Sequence, residues 1–171
     1  MAPVWNSSLW MDMFDELLDT ELDNDDPWTF NFNYGMDPNL TEPEKRRGWK
    51  TYRRDVQAEF TCSNCSKWWP SGRSLILFRY RRRTNGSGTV ILRPLKQACR
   101  KCQGPYELPG FCKEKVKKCL LALISHIKKN CYGYKSSNSN MDDSVKPVWT
   151  KPHEVSFCEA CRLGICRQDR E

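Results

Sequence analysis

The chain has 171 residues, 39% hydrophobic and 12% aromatic, which is enough apolar material to bury a core and too much for a disordered polymer. Its formal net charge of +7 is unevenly spread: residues 1–44 hold eleven acids and no Lys or Arg, which leaves a formal +18 on residues 45–171. The longest apolar run, "CLLALI", excludes a membrane-spanning helix of ~20 residues within this sequence, and "MAPVWNSSLWMDMFDELL" lacks the basic and apolar regions of a secretory leader.

These bounds predict an acidic N-terminal arm (1–44), made of an amphipathic helix and a strand packed on a basic body (45–171). They also give a cytoplasmic address, where thiols stay reduced or bind metal. Along the arm, Leu9, Trp10, Met13, Phe14, Leu17, Leu18 and Leu22 fall on one stripe of a helix whose other faces are acidic. "WTFNFNY" then alternates with period two, placing Trp28, Phe30, Phe32 and Tyr34 on one side of a strand. "TEPE" reads as a capping box, with Thr41 as N-cap and Glu44 three positions on. The helix it opens is expected to carry Trp49, Tyr52 and Val56 on one side.

"AEFTCSNC" reads as a short strand entering a metal knuckle. "SLILFRYRRR" and "TVILRPL" read as strands joined through "TNGSG", whose Asn85-Gly86 is a hairpin signal. The second of these strands runs into "CRKC". A helix follows near Lys113–Lys129, with Val116, Leu120, Leu123 and Ile127 on its core side and Gly133 to end it. Cys112 and Cys119 read as core thiols on or near this helix, and His126 as a residue at the edge of its apolar face.

Three C-x-x-C pairs carry the chemistry: Cys62/Cys65, Cys99/Cys102 and Cys158/Cys161. Two intervening residues let the chain turn so that both thiolates reach one ion at about 2.3 Å. The first two pairs bracket the hairpin, and a strand–knuckle–hairpin–knuckle order brings them together as in a zinc ribbon. Cys62, Cys65, Cys99 and Cys102 are therefore the expected first site. The third pair needs two further ligands, taken from His153, Cys166 and Cys131. His153-x4-Cys158-x2-Cys161-x4-Cys166 closes compactly on one ion, so His153 and Cys166 are preferred and Cys131 is the substitute. Two structural zinc ions follow, each filled by protein ligands with no open position for substrate. With no Ser/His/Asp set and no phosphate-cradling loop, no enzymatic activity is expected.

The basic residues admit two further uses. Arg79, Arg81, Arg82 and Arg83 of the hairpin, interleaved with aromatics, are the candidate contacts to RNA. Lysines along the helix suit an anionic membrane surface or a protein partner.

"WTFNF", "GWKTYRR", "FTCSNCSKWWPSGRSLILF", "QACRKC", "PYELPGF" and "HEVSFCEACRLGIC", in this order, resemble the receptor-transporting protein family and its 3CxxC-type zinc-binding domain, from about Trp28 to Cys166. The resemblance implies a small α+β fold: a zinc-ribbon-like antiparallel β module with flanking helices and two zinc sites. It assigns metal binding to Cys62, Cys65, Cys99, Cys102, His153, Cys158 and Cys161, with Cys166 added. It further implies an adaptor that binds G-protein-coupled receptors of olfactory or taste type and promotes their delivery to and insertion in the plasma membrane, with RNA binding in an antiviral response as the alternative. In that family an apolar anchor commonly follows this module; none lies within these residues.

Overall fold

The computed structural model describes residues 2–22, 25–134 and 157–165. Helix α1 spans Ser7–Glu21 and is capped by Asn6, whose side chain accepts from the Leu9 N–H. Its stripe is buried at Trp10, Met13, Phe14 and Leu17, as the apolar spacing requires. Strand β1 (Trp28–Phe32) follows, then the single-turn helix α2 (Glu42–Arg46). Both halves of the capping box form there: the Glu44 N–H donates to Thr41 Oγ1 and the Thr41 N–H to Glu44 Oε1.

The helix predicted to run on from Thr41 does not do so. It stops at Arg46, and Gly48 turns the chain at φ +95°, a conformation that side chains resist. From Lys50 the backbone is strand β2 (Lys50–Thr61), so Tyr52 and Val56 lie on a sheet. The decisive pattern is period two: Val56, Ala58 and Phe60 are all buried.

Strands β3 (Trp68–Arg82) and β4 (Gly88–Pro94) form the expected hairpin across Asn85-Gly86. Short strands β5 (Gln97–Ala98) and β6 (Tyr106–Glu107) flank the second knuckle. Helix α3 spans Lys113–Tyr132 and ends at Gly133, whose N–H bonds to the Lys128 carbonyl. The last described element is the single turn α4 (Glu159–Arg162).

The main sheet runs β1-β4-β3-β2. Three strands pair antiparallel, while β1 joins β4 in parallel, Trp28 beside Gly88 through Phe32 beside Leu92. A Cβ at residue 88 would collide with the Trp28 indole, so glycine is what lets the edge strand sit flat.

Alternation along β3 and β4 divides the molecule into two cores. Ile76, Phe78, Tyr80, Val90 and Leu92 face α1 and α3, where Val116, Leu120, Leu123 and Ile127 complete the main core. Leu75 and Leu77 face the other way, toward Met36, Leu95, Cys158, Ala160 and Ile165. Two arginines on this second face act as clamps. Arg79 donates to the Asp37 and Asn39 carbonyls and pairs with Glu44, and Arg93 donates to the Met36 carbonyl at 2.6 Å and pairs with Glu159.

Candidate metal centre

Each of the first two knuckles is one tight turn with the same backbone signature. The Ser66 N–H bonds to the Cys62 carbonyl at 3.0 Å, and the Gln103 N–H to the Cys99 carbonyl at 2.8 Å. Ser66 and Gln103, each just after the second cysteine, both take a left-handed backbone (φ 61° and 56°). These are the non-glycine residues with positive φ among the described ones, and such a backbone is held only where its surroundings demand it.

The hairpin then closes the two turns on one another. The four sulfurs of Cys62, Cys65, Cys99 and Cys102 all lie within 4.8 Å of one another, and Cys65 Sγ is 3.7 Å from Cys99 Sγ. Thiolates ~2.3 Å from a tetrahedral ion would be about 3.8 Å apart, so the cage has the right size for zinc. Cys62 and Cys99 are buried, and Cys65 and Cys102 are half-buried.

Two ties cross between the knuckles. Asn64, inside the first, donates its side-chain N–H to Cys102 Sγ at 3.4 Å. Glu107, on β6 after the second, accepts from the Ser63 N–H and from the Ser63 hydroxyl at 2.7 Å. The ties affect proton affinity as well as position. Backbone N–H groups at Cys102 and Lys101 bring the Cys99 thiol down to about 7. At Cys102 the Asn64 amide favours the thiolate, but Cys65, burial and Cys62 outweigh it and push the thiol up to about 11. Cys62, Cys65, Cys99 and Cys102 would hold a zinc ion, which would displace those protons and tie the two knuckles together.

The third knuckle is built differently. Cys158 to Cys161 make a helical turn, α4, without the left-handed residue. It is fastened to the sheet by a bridge from Cys158 to Gln97, by the Glu159 N–H to the Lys96 carbonyl, and by the buried Arg93–Glu159 pair. His153 and Cys166, its preferred completing ligands, lie outside the described residues.

The 3CxxC zinc-ribbon profile, described as a zinc-binding domain, matches residues 55–164, which include all three knuckles.

The chain belongs to the 3CxxC zinc-binding family.

Among curated relatives, receptor-transporting protein 4 of Homo sapiens is 33% identical over 93% of this chain and 64% of its own length. Receptor-transporting protein 3 of Mus musculus is 30% identical over 97% of this chain and 35% of its own, and the mouse receptor-transporting protein 4 is 30% identical over 92% and 63%. The chain thus spans between about a third and just under two thirds of these relatives. No solved structure matches it. The motif resemblance is borne out, as are the α+β ribbon architecture and zinc as the cofactor.

Other residues of the 3CxxC protein fall in less expected places. Cys131 packs against the main core near the end of α3, whereas Cys158 and Cys161 belong to the second core, so the sheet lies between the substitute ligand and the third knuckle. Cys119 is fully buried as expected, but Cys112 is exposed and caps α3, so it is not a core thiol. His126 is exposed and lies 4.2 Å from the Tyr52 ring.

The hairpin arginines do not form one open platform. Arg79 is buried in its clamp, and Arg82 faces the opposite side, paired with Asp26 above the Tyr132 ring. Arg81 lies over Trp49, and Arg83 donates to Thr89 Oγ1. Sequence reasoning missed Asn64, Glu107, Arg93 and Glu159, because the spacing of cysteines carries no signal for the groups that cross-brace them. No helix among the described residues is long and apolar enough to cross a membrane.

Proposed function

We propose that this module binds G-protein-coupled receptors of olfactory or taste type on their cytoplasmic side and promotes their delivery to and insertion in the plasma membrane. The observation that carries the reading is the similarity, over 92–97% of this chain, to proteins named for receptor transport. Four cysteine ligands at the first site are enough to fill a tetrahedral ion, which supports a scaffold with a binding role. On this reading two zinc ions act purely as struts, the second held by Cys158 and Cys161 with His153 and Cys166. The protein works in the cytoplasm, at the membrane face where receptor loops are exposed.

The test is co-expression with candidate receptors, reading surface delivery and nuclease-resistant co-purification together. Raised surface receptor and capture of the receptor, both abolished by Cys99→Ser and both retained with Arg83→Met, are expected. Capture that disappears on ribonuclease treatment would overturn the reading in favour of an RNA-linked one.

A further inference from the structure

Arg81 on β3 has no carboxylate partner among the described residues, and neither does Arg73 at the other end of the strand. Among the described residues Arg79 pairs with Glu44, Arg82 with Asp26 and Arg93 with Glu159. Among the described residues Arg81 meets the Trp49 ring, 5.5 Å from its guanidinium carbon, and its Nε is buried without a hydrogen-bond partner, as are those of Arg79 and Arg93, whose other nitrogens are paired. Burying part of a cation without a matching charge or acceptor costs free energy, so its surroundings are informative.

Those surroundings are rich in donors. In register, Arg81 sits beside Thr89 of β4, and Thr89 beside Thr29 of β1, which makes one row across the second face of the sheet. Arg83 reaches back to the same row, donating from Nη1 to Thr89 Oγ1 at 2.8 Å. The Thr29 hydroxyl lies 3.3 Å from Thr89 Oγ1 and 3.4 Å from the Gly88 carbonyl, so its one hydrogen already has an acceptor, while Thr89, 8% exposed, accepts from its neighbours and keeps its own hydrogen to donate. Trp49 walls the other end. Two guanidiniums and the Thr89 hydroxyl in one place, with no carboxylate paired to either arginine among the described residues, call for a ligand that is anionic and offers several acceptor oxygens. A guanidinium fork fits two oxygens of a tetrahedral phosphate in its own plane, and a hydroxyl can donate to a third. The recessed hydroxyl row favours a compact ion over a polymer lying across the face.

We propose that Arg81 and Arg83, with the Thr89 hydroxyl held in place by Thr29, form a binding site for a phosphate dianion, free or as a terminal phosphomonoester. The inference does not depend on the receptor reading.

The experiment is calorimetric titration of the zinc-loaded full chain with inorganic phosphate and, separately, with O-phosphoserine, at constant ionic strength set by chloride. Saturable one-to-one binding is expected. Arg81→Met and Arg83→Met should each weaken it about tenfold or more, the scale of a lost charge-assisted hydrogen bond. Arg81→Lys should retain part of it. Lys129→Met removes the same charge from the exposed side of α3 and should leave binding intact. Equal binding of O-phosphoserine assigns the site to an esterified phosphate, and weaker binding assigns it to the free ion. No saturable binding to the wild type, or an equal loss in Lys129→Met, overturns the site. A single-stranded RNA that binds through Arg81 and that phosphate does not displace also overturns it. Arg83→Met, at a half-exposed side chain in the hairpin turn, keeps the test decisive if Arg81→Met folds poorly.

Discussion

Arg93 on β4 and Glu159, between the two cysteines of the last knuckle, form an ion pair at 3.2 Å with both side chains about nine-tenths buried. Arg93 also donates to the Met36 carbonyl, so one guanidinium joins the sheet, the loop after β1 and the C-terminal knuckle. Removing one partner would leave the other buried and unanswered. Arg93→Met is therefore expected to destabilise the fold by about 3–5 kcal/mol, and Arg93→Met with Glu159→Met by much less. Urea unfolding of both single variants and the double variant checks this, and a double-variant loss equal to the sum of the two single losses would mean that the pair is not coupled.

Cys99→Ser removes a buried ligand from the centre of the ribbon. The expected result is loss of the ion from this site and of cooperative unfolding, because metal affinity at such sites is folding free energy. Asn64→Ala leaves all four thiols in place. It should keep the zinc in native mass spectra but release it roughly 10-fold or more faster to a chelator, the scale seen when an outer hydrogen bond to a ligand is lost. Unchanged release would reduce Asn64 to a bystander.

Gly88→Ala places a methyl group against the Trp28 ring, while Gly104 has open space around its Cα. A cost of about 1–3 kcal/mol is expected for the first, the range for overpacking, and little change for Gly104→Ala. Thermal denaturation of both settles whether the parallel edge strand depends on that close approach.

Burial pushes the Cys119 thiol up to about 12, although Arg54 pulls it down. An unfolded thiol ionises near ~8.5, so the stability tied to the neutral thiol is complete below that value and is lost as pH rises from about 8.5 toward 12. Cys119→Val should flatten this alkaline decline. Iodoacetamide at pH 8 should modify exposed Cys112 in the native protein and spare Cys119. Modification of both at equal rates would show that the core opens easily.

Much of this molecule was legible where the pattern was local. The α1 stripe, the Thr41 capping box, the Asn85-Gly86 hairpin and the Gly133 stop each depend on a few adjacent residues. The first metal site was legible too, since the hairpin between its knuckles leaves few ways to place four thiols. What failed was long-range. Nothing near Trp28 announces that β1 will lie parallel to β4, and the capping box at Thr41 obscured the strand that starts eight residues beyond Thr41's neighbour Glu42. The arginines misled for a related reason. Adjacent residues on a strand point to opposite faces, so "RYRRR" is two sets of side chains with different neighbours.

The parallel seat of β1 has a consequence for how the protein is made. Trp28 and Gly88 are partners sixty positions apart, and the strand that is synthesised first occupies the outer edge of the sheet. At about 5–20 residues per second, β1 leaves the ribosome several seconds before β4 exists to receive it. During that interval its aromatic side chains have no sheet to lie against, and the first cysteine pair emerges without the second. Both the edge strand and the metal cage are completed only after the hairpin has formed, so a nascent chain stalled before Cys102 holds the acidic segment without its dock and the first knuckle without its counterpart.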